Sequence, residues 1–476
     1  MRELIKLADK KKMKIKEEKA VHVWNTYTTA EKKKVYSLAD DYRNFISDCK
    51  TERESVSEAV RMAKAAGYME LSEAVRKKKK WKPGDKIYAV GMKKTVALFQ
   101  IGERPCEDGL AILGAHIDTC KLDLKQNPLY EDGNMAYLDT HYYGGIKKYQ
   151  WVTLPLALHG VVVKKDGTTL NIVVGEEEND TVFCVTDLLI HLAQEQMEKK
   201  AAKVIEGEKL DILVGSLPLP DEDKNAVKAG ILAILGTKYG ITKDDFISAE
   251  LTLVPAGRAR AMGFDRSMTL GYGQDDRVCA FTSLRAMLDT KKTRRTACCL
   301  LVDKEEIGSV GATGMQSRFF ENTLAELMEA LGEKGELRLR RALANSKMLS
   351  SDVSSGFDPL YASAFDKKNV AFLGGGMVFN KFTGARGKSG SNDANAEYIA
   401  ELRKIMDKHK VRFQTAELGR VDLGGGGTIA YIMSLYGMQV IDCGVPVLSM
   451  HAPWEVTSIV DLYEVTKGYR AFLAEA

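Results

Sequence analysis

The segment Ala297-Cys298-Cys299-Leu300-Leu301-Val302 is an unbroken apolar run that stops at Asp303 and is followed at once by Glu305 and Glu306, then Ile307-Gly308-Ser309. Apolar residues at consecutive rather than alternating positions predict a strand buried on both faces, the pattern of a parallel sheet. In open α/β sheets ligands bind just beyond the carboxyl ends of such strands. Two neighbouring glutamates there can divide two tasks, one turned to a metal and one to a scissile bond. Taken alone, the segment reads more simply as a solvated loop with two surface acids. Four complementary segments elsewhere in the chain change that balance.

The chain has 476 residues, enough for a full core and more than one domain. A net charge of +4 is small for this length, and the basic runs Lys10 to Lys16 and Lys77 to Lys80 read as solvated faces. Trp81 is a single aromatic beside them, so no nucleic-acid partner is expected. There is no long apolar stretch, and Met1-Arg2-Glu3 opens a charged helical pattern rather than a leader, so no membrane partner is expected either. Eight cysteines without a CxxC spacing fit a reducing, cytoplasmic setting better than a disulfide framework.

Read in order, residues 1 to about 80 have helical periodicity, with Val35, Leu38, Tyr42, Phe45 and Ile46 among charges and a second amphipathic segment from Thr51 to Ala66. Strands are expected at Ile87 to Val90, at Thr95 to Phe99 and at Leu110 to Leu113, the last running into Gly114-Ala115-His116-Ile117-Asp118. From about Leu122 to Glu250 short β-like runs and turns dominate, which predicts an antiparallel barrel or sandwich inserted into an α/β protein. Strand-then-helix alternation is expected to resume at Glu250 to Val254. The expected domains are therefore a catalytic part over 1–121, a β-rich insert over 122–250 and a second catalytic part over 251–476.

His116 and Asp118, two apart at a strand end, face the same side, where Asp118 can orient the imidazole as a metal ligand's partner. Asp275-Asp276 enters a helix marked by Val278, Phe281, Leu284 and Leu288; an N-cap explains one of the two acids but not both. Leu349-Ser350-Ser351-Asp352 is another apolar-to-acid transition, and Val445 to His451 is a strand ending in histidine. Each has an ordinary structural reading. Together they offer His, Asp, Glu-Glu, Asp and His, the oxygen and imidazole donors of a co-catalytic zinc, cobalt or manganese pair, with one glutamate left over as a general base. The run Gly424 to Gly427 is not a dinucleotide fingerprint; it suits close backbone approach to a substrate or metal, or plain helix entry.

The segments Gly114–Asp118, Gln274–Arg277, Asp303–Ser309, Ser350–Asp352 and Leu448–His451 resemble, in order and spacing, the aspartyl aminopeptidase/aminopeptidase I family of di-metal exopeptidases. Lys381-Phe382-Thr383-Gly384 and Arg386 to Ala394 resemble its bacterial branch. The resemblance implies an α/β fold with a mixed central sheet flanked by helices, interrupted by a β-rich dimerisation domain. It implies that His116, Asp275, Glu306, Asp352 and His451 ligate two divalent metal ions per subunit, zinc first among them, with Asp275 bridging. Glu305 would be the base and Asp118 would orient His116. The segment Asp187 to Leu192 resembles the one that sends a histidine, here His191, into a neighbouring subunit's site within a tetrahedral dodecamer built from dimers. Lys381 lies where some members place a cation for acidic side chains. The activity implied is release of the N-terminal residue from peptides with a free amino terminus. A deacylase or carboxypeptidase on the same metal pair, or a non-catalytic cargo particle, are the competing readings.

Overall fold

The computed structural model describes residues 22–476, so the Lys10 to Lys16 run and the chain's first residues lie outside the described residues. Its frame is a nine-stranded mixed sheet. Five of its strands matter most here: β1 (Thr95–Gln100), β2 (Ala111–His116), β3 (Ala297–Val302), β4 (Lys347–Ser351) and β5 (Gln439–Gly444). They lie side by side in the order β1, β3, β2, β4, β5. β3 runs antiparallel to β1, but β3, β2, β4 and β5 are mutually parallel. Val302 is level with His116, and Ser350 is level with Gly114, so the acid-bearing turns after β3 and β4 leave the sheet beside His116.

The continuous apolar run of β3 is explained by helices on both faces. Cys299 and Leu301 join a core with α1 (Thr29–Asp48), α2 (Glu52–Ala65), α3 (Gln274–Asp289) and α4 (Ile459–Glu475), in which Tyr42, Phe45, Phe281 and Tyr469 are buried. Cys298, Leu300 and Val302 face the other way, onto Phe320, Leu324 and Leu327 of the helix Phe319–Leu331. Successive strand side chains point to opposite faces, so a strand covered twice has no polar positions to spare. Each fully buried large side chain contributes on the order of 1.5–3 kcal/mol. α1 and α2 each begin with a capping box, Thr28 with Glu31 and Thr51 with Glu54.

A second, six-stranded antiparallel sheet has its own core, around Trp151, Leu158, Val162 and Leu253. Its strands start at Lys121, directly after the loop that follows β2, and end at Pro255. It is an open sheet, not the expected barrel or sandwich: Thr169–Val174 and Ile212–Gly215 are its edges. The expected return to the main sheet at Glu250 to Val254 is also corrected. That segment belongs to the strand Ala249–Pro255, which pairs with Leu156–Val163 and Lys121–Asp132 inside the second sheet. Periodicity identified it as a strand, but local sequence carries no information on which sheet receives it. Buried Lys50, between α1 and α2, ties that helical layer to the second sheet: its Nζ donates to Glu176 at 2.6 Å and to the carbonyls of Pro255 and Gly257, while His159 sits between Glu54 and Glu176.

A third, five-stranded sheet joins Met268–Gly271, Glu455–Ser458, Pro446–Leu448, Arg260–Met262 and Ser354–Ser355. Gly271 is level with Glu455. No helix among the described residues is long and apolar enough to cross a membrane.

Fully buried Arg277 holds the turn that leads into α3. Its guanidinium donates to the carbonyls of Gly273, Tyr272 and Cys49 and lies over the Tyr272 ring. Gly273 has φ +67°, and a Cβ there would collide with that guanidinium at 1.7 Å. Arg277→Met should leave these carbonyls without a donor and lower the unfolding free energy by about 2–4 kcal/mol. Urea unfolding followed by fluorescence measures this; an unchanged midpoint would show that the clamp contributes nothing.

Candidate metal centre

Two sheets deliver the five candidate donors and the base. β2 ends in His116, whose side chain is 2% exposed. The turn after β3 brings Glu305 and Glu306, the end of β4 brings Asp352, and the Gly273 turn brings Asp275. His451 stands on the turn between Pro446–Leu448 and Glu455–Ser458 of the five-stranded sheet, slightly beyond the strand end expected for it.

The central feature is Asp275. Its Oδ1 lies 3.2 Å from His116 Nε2, and its Oδ2 lies 3.2 Å from His451 Nε2. One carboxylate thus faces two imidazoles, one oxygen to each. Glu306 Oε2 is 3.6 Å from His451 Nε2, and Glu305 Oε2 is 3.7 Å from His116 Nε2. The donor atoms fall into two groups, each within 4.8 Å: His116, Asp275 and Asp352 on one side, and Cys120, Glu306 and His451 on the other.

Burial pushes the Glu305 carboxyl up to about 7 and the Glu306 carboxyl up to about 8; Asp275 adds to both shifts and the imidazoles oppose them. Burial, with nearby Asp276, also raises Asp352. Burial works against ionised Asp275 too, but His116 and His451 overcome it and hold that carboxyl far below its usual range. Both histidines are held above theirs by the surrounding carboxylates despite burial. This is a pocket of anions short of positive charge. Among the described residues no hydrogen-bond partner reaches buried Glu306 Oε1, a costly arrangement unless a cation satisfies it. The donors are carboxylate oxygens and imidazole nitrogens, which suit zinc, cobalt or manganese.

Asp118 is completely buried and makes more contacts than its spacing suggested. It faces His116 Nδ1 through its carbonyl at 3.0 Å and its Oδ1 at 3.3 Å. Its two oxygens also accept the backbone N–H groups of Glu305 and Glu306, each at 3.1 Å, and Oδ2 accepts the Tyr143 hydroxyl at 2.8 Å. Tyr143 is level with Lys121 in the second sheet, where Lys121 Nζ pairs with Glu52 at 2.7 Å and lies over the Tyr143 ring.

Sequence reasoning missed Tyr143, Cys120 and Glu455. Glu455 is 1% exposed; its Oε2 accepts the Asp275 N–H at 3.1 Å and its Oε1 accepts the His451 N–H at 2.8 Å, so it holds both neighbours of the shared carboxylate. The available signal was an acid at the start of an otherwise apolar-flanked strand, four residues after His451. The backbone is non-helical at Asp275 and Asp276, so the regular part of α3 starts after them, and Asp276 Oδ2 receives the His116 N–H at 3.4 Å.

A cavity of about 520 Å³ opens on Asp275, Glu305, Glu306, Asp352 and His451, with Val353, Leu418, Tyr431, Met450 and the backbone of Gly425 to Gly427 as its other walls. The glycine run is therefore both a cavity wall and the approach to the helix Ala430–Ser434. Two expected site residues stand apart within this chain. Lys381 is exposed, with Nζ 3.6 Å from Asp393 Oδ1, and does not line the cavity. His191 lines a different cleft, with Asp187, Leu188 and Leu192.

Comparison with known proteins finds relatives along nearly the whole chain. The family described as Aminopeptidase I zinc metalloprotease (M18) matches residues 45–473. A curated relative from Clostridium acetobutylicum, named "Probable M18 family aminopeptidase 1", is 61% identical over 453 residues, which is 95% of this chain and 97% of the relative. The crystal structure of an M18 family aminopeptidase from Thermotoga maritima superposes with a TM-score of 0.91 at 41% identity, covering 96% of this chain and 99% of that one. More distantly, the mApe1 dodecamer of S. cerevisiae shares the fold, with a TM-score of 0.72 at 19% identity over 91% of this chain and 95% of that one.

Tyr143→Phe removes one hydrogen bond from Asp118 and leaves packing intact. It should weaken divalent-metal binding by up to ~10-fold, the low end of the effect of losing a ligand's own partner, because Tyr143 reaches His116 only through Asp118. Competition titration with a chelating dye measures this; wild-type affinity would show that the tyrosine does not steady the site.

Proposed function

Because the chain belongs to the aminopeptidase I family of zinc metalloproteases, we propose that it releases the N-terminal residue of peptides at two divalent metal positions that share Asp275. The observation that carries this is the single carboxylate facing two imidazoles, with Glu305 beside it and outside both donor groups. One position would be held by His116, Asp275 and Asp352, the other by His451, Asp275 and Glu306, with zinc the first candidate and cobalt or manganese next. The chemistry such ions supply is Lewis acidity toward a carbonyl oxygen and toward water.

The chain's own residues do the rest. Glu305, held by the N–H contact of its backbone with Asp118, takes the proton of the attacking water and returns it to the departing amine. Asp118 keeps the His116 ring in one orientation, and Glu455 does the same for the backbone of Asp275 and His451. Val353, Leu418, Tyr431 and Met450 give the cavity apolar walls, and among the described residues no lysine or arginine lines it. Apart from the metal ions themselves, a substrate carboxylate would find no cationic side chain of the described residues there, which favours a free amino terminus with a neutral first side chain over the carboxypeptidase reading and over acidic first residues at Lys381.

His191 sits among Leu188, Leu189, Ile190 and Leu192, all exposed by 47–68%. Such a strip is suited to burial against another copy, and the yeast relative is a dodecamer. A dodecamer of dimers, with 122–250 as the dimerisation insert between catalytic parts 1–121 and 251–476, would put His191 in a neighbour's cavity. Free cysteines, seven of the eight buried, suit a cytoplasmic setting.

Turnover of leucyl and glutamyl chromogenic substrates tests this directly. Wild type should favour the leucyl compound. Glu305→Gln should keep its metal and lose at least ~10² in kcat, since the change keeps size and removes the base. Mixing it with His191→Phe subunits should restore activity above either variant alone, because base and histidine would come from different chains. Near-normal turnover by Glu305→Gln would contradict its role; no recovery after verified subunit exchange would contradict the trans role of His191.

A further inference from the structure

Cys120 has no part in the chemistry described so far, yet its sulfur lies inside the centre. The residue is 2% exposed. Its Sγ is 3.5 Å from Glu306 Oε2, and it shares a 4.8 Å donor group with Glu306 and His451. Three further observations point to a built position rather than a chance thiol. Glu306, whose side chain is 3% exposed, turns Oε2 toward this sulfur and has its other oxygen, Oε1, buried without a partner. His451 is fixed from behind, its Nδ1 lying 2.9 Å from the Gly145 carbonyl, so that Nε2 faces Asp275 and Glu306. Space for the sulfur is kept by Gly144, at φ +79°, where a Cβ would come within 2.7 Å of Cys120 Sγ and 3.3 Å of Glu306 Oε2.

We propose that Cys120 is a thiolate ligand of the metal ion on the His451 side of Asp275. The inference rests on the two-ion reading above and makes its two positions unequal. His116, Asp275 and Asp352 offer only nitrogen and oxygen. Asp275, Glu306 and His451 offer the same donors plus a soft sulfur. On binding, the S–H bond breaks, its proton leaves to solvent, and the sulfur's electron pair forms the bond to the cation. Thiolate favours zinc, cobalt or cadmium over manganese or magnesium, whereas an all-oxygen-and-imidazole position discriminates less. The consequence is one selective and one permissive position in the same centre. The rival arrangement is a thiol that only donates a weak hydrogen bond to Glu306, for which 3.5 Å is also an ordinary separation.

The test uses the full-length enzyme, loaded with cobalt for absorption spectroscopy and with zinc for X-ray absorption. The expected result is two equivalents bound per chain, a sulfur-to-cobalt charge-transfer band in the near ultraviolet, and a sulfur neighbour at about 2.3 Å from zinc. Cys120→Ser and Cys120→Ala should abolish both sulfur signals and weaken one of the two zinc equivalents by ~10-fold or more. The wild-type spectra alone decide the matter if neither variant folds. Two bound equivalents with no sulfur signal would overturn the thiolate ligand and leave the two-ion reading standing. A sulfur signal that survives both substitutions would overturn it as well. Fewer than two equivalents in wild type would contradict the two-ion reading itself, and with it the ion this thiolate serves.

Discussion

Asp275 can face His116 with one oxygen and His451 with the other only if two separately built pieces of the molecule arrive at the same point. His116 comes from the middle of the nine-stranded sheet, and His451 comes from the five-stranded one. The carboxylate between them is set by a glycine turn, by the Arg277 clamp under that turn, and by Glu455, which accepts backbone N–H groups from Asp275 and His451 together. Loss of any of these would move one oxygen relative to one imidazole. The rest of the architecture can be understood as holding this junction still.

The same logic extends outward. Asp118 accepts the N–H groups of both glutamates while it faces His116 Nδ1, so the strand ends of β2 and β3 are registered by one buried residue. Tyr143 attaches that side chain to the six-stranded sheet, and Lys121 with Glu52 attaches the sheet in turn to α2. The insert is thus connected to the metal centre through short, buried, charged contacts. Such contacts lose little to solvent screening, which makes them suited to fixing geometry at a site rich in like charge.

Much of this was legible in the sequence. The apolar run of β3, the acid-bearing turns after β3 and β4, and the histidines 116 and 451 marked residues that the fold brings together, because each interrupts an apolar pattern at a point where a strand must end. The helices over Thr29–Asp48 and Glu52–Ala65 followed from apolar spacing. What was not legible depends on pairing between distant segments. The strand at Ala249–Pro255 has the same composition whichever sheet receives it, and an open antiparallel sheet has the same alternation as a closed barrel. Tyr143, Cys120 and Glu455 enter the centre only through cross-strand register and loop geometry, which no local pattern encodes. His191 was singled out by resemblance alone, and within its own chain it lies in a separate cleft.

Everything proposed for the site depends on Asp275 as the shared carboxylate. Crystals of the zinc-loaded enzyme, with anomalous differences recorded at the zinc edge, address it most directly. Two peaks are predicted on opposite sides of that side chain, one about 2.0–2.2 Å from Oδ1 and the other equally close to Oδ2. A single peak, or a pair of peaks of which only one touches Asp275, would contradict it.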